Sequence, residues 1–177
     1  MASLFTHPAI PLAIGAAAGT RVLSARVIFL GVLFSLLPDA DVIAFRVGVP
    51  YAHPLGHRGF SHSLVFALLI ALVAAALPAF RDRRGRVFLF LWVSAVSHGV
   101  LDALTSGGLG VGFFIPWDNQ RYFLPIRPIR VSPLTAGAFF SERGVKILLS
   151  EFYTVWLPCA GIAATGWLFR RQLKARA

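Results

Sequence analysis

The 177-residue chain is 57% hydrophobic and only 14% charged, with a mean hydropathy of +0.74, too apolar for an ordinary soluble domain of this size. Its single cysteine excludes an intrachain disulfide and a thiolate metal cluster. The net charge of +10 is spread in short clusters beside apolar segments rather than along one soluble face, so the expected partner is a lipid bilayer and not nucleic acid.

A hydrocarbon core of about 30 Å takes about 20 apolar residues to cross as a helix. Segments 2–19 and 25–38 flank Arg21 and Arg26 and read as a helical hairpin. The start MASLFTHPAI has no basic n-region, so the first segment is not expected to be a cleaved signal peptide. In LLPDADV, Pro38 is expected to stop the second segment, and Asp39 and Asp41 follow it. His53, in YAHPLGHRG, reads as an exposed loop histidine. The stretch HRGFSHSL, residues 57–64, leads into a third span at 61–80, with Ser61 either an N-cap or a polar neighbour of a site.

A fourth span, 87–104, carries His98 and Asp102 four residues apart and therefore on one helical face. Residues 105–151 read as one long extracytoplasmic loop rich in Gly, Pro and aromatics. Its Phe113, Phe114, Trp117, Tyr122 and Phe123 suit interfacial anchoring. The glycines of SGGLGVG lack the preceding strand and the following Gly-Lys-Ser of a nucleotide loop. The last span, 152–169, contains Cys159, read as a packed core residue. The expected fold class is all-α: a polytopic integral membrane protein with about five transmembrane helices in a single membrane-embedded domain, 1–177.

Ten of the 17 Lys and Arg fall in the short segments 20–26, 81–86 and 170–177. The positive-inside rule makes these cytoplasmic, with the N-terminus outside and the C-terminus inside. That topology brings His7, Asp39, Asp41, His57, His62, His98 and Asp102 to one outer depth. Ionisable groups in membranes are costly and are usually paired or functional. Imidazole and carboxylate donors without sulfur suit a divalent metal, Zn²⁺ first, with Mn²⁺ or Fe²⁺ as alternatives, and one or two ions.

Such a site would activate water for hydrolysis. Asp102 is the candidate bridging carboxylate, and Asp39 or Asp41 the group that orients the water or moves its proton. Arg58, Arg121, Arg127 and Arg130 are candidate contacts for an anionic headgroup, which points to a phosphoester of a lipid-like substrate. An amide or ester hydrolase would use the same water. A metal transporter would hold its site at mid-membrane with internal repeats, and a non-enzymatic membrane protein leaves the cluster unexplained. His-Glu-x-x-His and Gly-x-Ser-x-Gly are both absent, and no protein partner is implied.

The ordered motifs THPAIPLAIG, LLPDADV, GHRGFSHSLVF and SHGVLDALTSGG, with GVGFFIPWDNQRYFLPIRPIRVSPL and SEFYTVWLP, resemble the YdjM/YbcI family of membrane-bound metal-dependent hydrolases over nearly the whole chain. The resemblance implies a bacterial inner-membrane location. It also implies that His7, Asp39, Asp41, His57, His62, His98 and Asp102 are the polar motif positions. A more distant likeness to zinc-dependent phospholipase C follows, through the His-x-x-x-Asp pair of His98 and Asp102.

Overall fold

The structure, a computed structural model, describes residues 1–133 and 139–176. The helices are α1 (Ala9–Ala18), α2 (Ala25–Leu36), α3 (Leu64–Ala76), α4 (Arg84–Ala103), α5 (Glu142–Glu151) and α6 (Leu157–Ala175). A 3₁₀ segment, Leu37–Val47, continues α2; another, Pro78–Arg83, precedes α4. A π-helical turn, Phe152–Trp156, joins α5 to α6. Among the described residues there are only isolated β-bridges, Thr105 with Ile129 and Val111 with Tyr122.

Among the described residues, three helical runs are long and apolar enough to cross a membrane: Ala25–Arg46, Pro78–Ala103 and Glu142–Ala175. That is fewer than the five expected. At 10 and 13 residues, α1 and α3 rise about 15 and 20 Å, short of the roughly 30 Å core. Residues 4–8 are turns rather than helix, and Gly19 ends α1 in a positive-φ conformation, φ 79°, that a side chain resists. α3 cannot start earlier than Ser63, whose Oγ caps it by accepting the Phe66 N–H at 3.0 Å. It ends because Pro78 holds Leu77 extended at ψ 140°.

Two other expectations change. Pro38 does not stop the helical path: it occupies the first turn of the 3₁₀ segment, where its missing N–H is not needed. The expected loop 105–151 contains α5, whose Glu142, Arg143 and Lys146 broke the apolar pattern without breaking the helix.

α4 is the interior helix. Of its apolar window 61% is buried, against 28% and 22% for the other two spans. α2 and α3 pack on it, while α1 packs on α6 and α2. These contacts are made close by small residues. Ala67, Ala71 and Ala75 form the buried stripe of α3. A Cβ on Gly31 would lie 2.4 Å from the Phe90 ring, and one on Gly166 would lie 2.6 Å from Ala17. In hydrocarbon such close packing, rather than apolar burial, holds helices together. Large side chains are left facing outward, with Val73 70% and Phe169 61% exposed.

The connection after α4 folds back over one end of the bundle. Leu124 N–H donates to Ala103 O at 3.0 Å and Ser106 N–H to Ile129 O at 2.9 Å, both at the C-terminus of α4. Leu64 N–H, at the start of α3, donates to Phe113 O at 3.0 Å. This is the end that carries the histidines.

Candidate metal centre

Four chain segments deliver the polar groups. His7 lies just before α1, Asp39 and Asp41 on the 3₁₀ segment after α2, His57 and His62 before α3, and His98 and Asp102 on α4. All but Asp41 are classed as buried, and His7, His98 and Asp102 are 0% exposed. Facing oxygens and nitrogens lie close together. His62 Nε2 is 3.0 Å from His98 Nε2, His98 Nε2 is 3.4 Å from Asp39 Oδ1, and His62 Nε2 is 3.7 Å from Asp102 Oδ2. His7 stacks on His98, ring centroids 3.7 Å apart. Its Nε2 faces the other oxygens of the same carboxylates, Asp39 Oδ2 at 3.9 Å and Asp102 Oδ1 at 3.8 Å.

The outer nitrogens fix what the inner ones can do. His98 Nδ1 is 2.7 Å from the Ser35 carbonyl, an acceptor only, so Nδ1 carries the proton and Nε2 a lone pair. His62 Nδ1 is 3.1 Å from Asp41 Oδ2, which assigns His62 the same tautomer. With both Nδ1 atoms protonated, the two Nε2 atoms at 3.0 Å need a positive charge between them, either the proton of an imidazolium donated across the gap or a metal ion. In addition, both Asp39 oxygens, Asp102 Oδ2 and both His7 nitrogens are buried without a hydrogen-bond partner, a costly state for each.

Of the three carboxylates, only Asp102 meets the Arg58 guanidinium, whereas Asp41 takes the Arg58 backbone N–H. A tetrahedral ion about 2.1 Å from each donor separates its ligands by about 3.4 Å, close to the spacings found. Asp39, His62, His98 and Asp102 thus form one set able to hold an ion; Asp41, His57 and His62 form a second.

The sequence pattern of the family described as YdjM inner membrane protein matches residues 1–173. The chain belongs to that family. It is 41% identical, over 174 residues, to the inner membrane protein YbcI of Escherichia coli (strain K12), covering 97% of this chain and 99% of that protein. No solved structure matches. The family and the relative are inner-membrane proteins by name, and the apolar helices here agree with membrane insertion.

Within this YdjM-family protein, Asp41 differs from the other carboxylates because its oxygens are engaged. It accepts from His57 Nδ1 at 2.7 Å, Ser61 Oγ at 2.6 Å and the Arg58 N–H at 3.1 Å. Ser61 is therefore a neighbour of the site and not the cap, which is Ser63. Tyr51 meets the His57 ring edge-on at 5.2 Å, and burial pushes its phenol above the ordinary value despite the Arg58 charge.

Arg58, expected to touch a headgroup, is 0% exposed. Its Nη1 donates to Gly107 O and its Nη2 to Thr105 Oγ1, each at 3.0 Å. Its Nε is 2.9 Å from Asp102 Oδ2, with the N–H misaligned for a hydrogen bond, so that oxygen keeps a lone pair for another partner. Arg58 also has a left-handed φ of 61°, a strained choice for a side chain. Gly108 makes room for it: a Cβ there would lie 2.8 Å from Arg58 Nη1.

The other arginines lie further out. Arg121 donates to His57 O at 3.2 Å and His53 O at 2.8 Å, fastening the loop over the site. Arg127 lies over the Phe123 ring at 4.8 Å, and Arg130 lines a separate cleft with Arg143 and Lys146. His53 stays outside the cluster, its Nδ1 accepting from Leu55 N–H.

Sequence reasoning missed Glu151. It is 0% exposed and accepts from Ser3 Oγ at 2.6 Å and Thr6 Oγ1 at 2.9 Å. It also accepts from the Ser3 N–H. This fixes the turn that presents His7. An acidic residue at the start of an apolar run was the available signal.

Proposed function

We propose that the protein is a metal-dependent hydrolase of the inner membrane. On this reading it cleaves a phosphoester of a lipid-like substrate at the extracytoplasmic face, with its N-terminus outside and C-terminus inside. The observation that carries the reading is the 3.0 Å approach of two imidazole Nε2 atoms beside the buried Asp39 carboxylate, both of whose oxygens lack a hydrogen-bond partner. His62, His98, Asp39 and Asp102 would hold an ion, Zn²⁺ being the best match to the donors, and His7 lies within reach of the same carboxylates for a second. A bound divalent ion supplies Lewis acidity and brings the pKa of water toward neutrality.

The chain's own residues do the rest. Asp41 and the Ser35 carbonyl hold His62 and His98 in the tautomers that aim Nε2 inward. Arg58 holds Asp102 from behind while leaving its oxygen available. Asp39 is the carboxylate on the wall of an open cleft, so it is the group placed to orient an attacking water and accept its proton. Arg121 and Arg127, nearer the surface than Arg58, are the better-placed contacts for an anionic headgroup. The His98–Asp102 likeness to zinc-dependent phospholipase C supports the phosphoester choice over an amide or ester.

Elemental analysis of detergent-purified wild type beside His98→Ala tests this. One or two equivalents of zinc, manganese or iron, absent from the variant, are expected, followed by turnover in a lipid-phosphoester screen. Metal-free wild type after reconstitution would overturn the metal, and metal without phosphoester turnover would move the reading to an amide or ester hydrolase or to transport. A C-terminal reporter reading periplasmic would invert the topology.

A further inference from the structure

The cleft that Asp39 lines has a volume of about 480 Å³, within the range of small-molecule sites. Its remaining walls are mostly apolar, including Phe5, Val42, Phe45 and Phe139. One wall follows from the 3₁₀ geometry of Leu37–Val47. With three residues per turn, positions i, i+3 and i+6 eclipse, so Asp39, Val42 and Phe45 stand in one row. A carboxylate heads an apolar ladder. In an α-helix the same residues would rotate progressively off one face.

Another part of the lining is aromatic, with the Phe5 and Phe139 rings 6.1 Å apart. Phe45 also touches the metal cluster's surroundings, lying 6.0 Å from the His57 ring. At the polar end Asp39 is 7% exposed with both oxygens unpartnered.

We infer that this cleft seats the single hydrocarbon tail of the substrate, along Val42 and Phe45, with the reacting anionic head toward the cation that Asp39 and its neighbours would hold. The inference rests on the hydrolase reading for the word substrate, but the tail site can be tested by binding alone. The occupant is an amphiphile because the cleft has one polar end and apolar walls. A small polar phosphoester would leave the walls wet, and a plain hydrocarbon would bring no group to the cation site that Asp39 adjoins.

The test uses full-length, metal-loaded protein in phosphatidylcholine liposomes, with an alkyl phosphate bearing a diazirine near its chain end. Photolabel is expected on Val42, Phe45 or Phe139 by peptide mass spectrometry, and is expected to fall severalfold in Val42→Trp and in Phe5→Asp. Both positions are at the cleft surface, at 37% and 59% exposure, so substitution there should spare the fold. Label spread over the outer faces of α3 and α6, unchanged in both variants, would overturn the tail site.

In detergent, calorimetric titration with butyl through octyl phosphate should tighten binding by about fourfold per added CH₂. Equal affinities along the series would also overturn the tail site. The two readings fail separately. Hydrolysis of bis(p-nitrophenyl) phosphate without cleft labelling removes the tail site and keeps the hydrolase. Cleft labelling without turnover of any phosphoester keeps the tail site and removes the hydrolase.

Discussion

Asp39 and Asp41 are two residues apart on one 3₁₀ segment, and their surroundings are opposite. Asp41 accepts from His57, Ser61 and a backbone N–H and contacts His62 Nδ1. Asp39 faces His98, His62 and His7 and has no hydrogen-bond partner at all. Both Asp41 oxygens are engaged and organise its histidines, with His57 Nε2 left unpartnered; both Asp39 oxygens are unengaged and could take a cation. Residue type does not separate a ligand from its support. Hydrogen-bond satisfaction does.

The comparison can be broken most directly among the histidines that face Asp39. His98→Ala should abolish metal binding and activity while leaving membrane insertion intact, read by elemental analysis on the folded, detergent-soluble protein; full metal occupancy in that variant would end the distinction. Asp41→Asn should keep the ion but weaken its affinity about 10- to 100-fold, measured by chelator competition. A loss as complete as that of Asp39→Ala would make Asp41 a ligand as well.

Ser61→Ala removes one hydrogen bond to Asp41 and should cost about 1 kcal/mol, roughly fivefold in metal affinity. No change in the same competition assay would show that Asp41 is held without it. Smallest in its effect on metal, Arg121→Ala should leave occupancy unchanged and lower the melting temperature by a few degrees, since it unfastens the loop at His53 and His57. Loss of metal there would extend the supporting network to the loop.

The sequence, through charge bias and apolar length, led to the expectation that His7, Asp39, Asp41, His57, His62, His98 and Asp102 share one depth, and the structure brings them together at one end of the bundle. Roles within the cluster were not legible, since they depend on tautomers and on which oxygen faces which nitrogen. Arg58 looked like an exposed anion contact beside a loop, yet Gly107 and Thr105, far along the chain, bury it. Spans were over-read where apolar composition ran past the physical helix ends, before Ala9 in the first and before Ser63 and beyond Leu77 in the third. α5 was under-read because its apolar residues occupy one face of a charged helix. Alternation between metal ligand and hydrogen-bond partner leaves no periodic trace, whereas helix-end placement does.

Glu151 has a consequence for the order of assembly. Its bonds to Ser3 and Thr6 span 148 and 145 residues, so the turn that presents His7 cannot lock until the chain has been made almost to its end. Translation at about 5–20 residues per second leaves the first segment waiting for roughly 7–30 seconds while the later helices enter the membrane. A His7 seated against Asp39 and Asp102 therefore marks a chain whose last helix has already arrived.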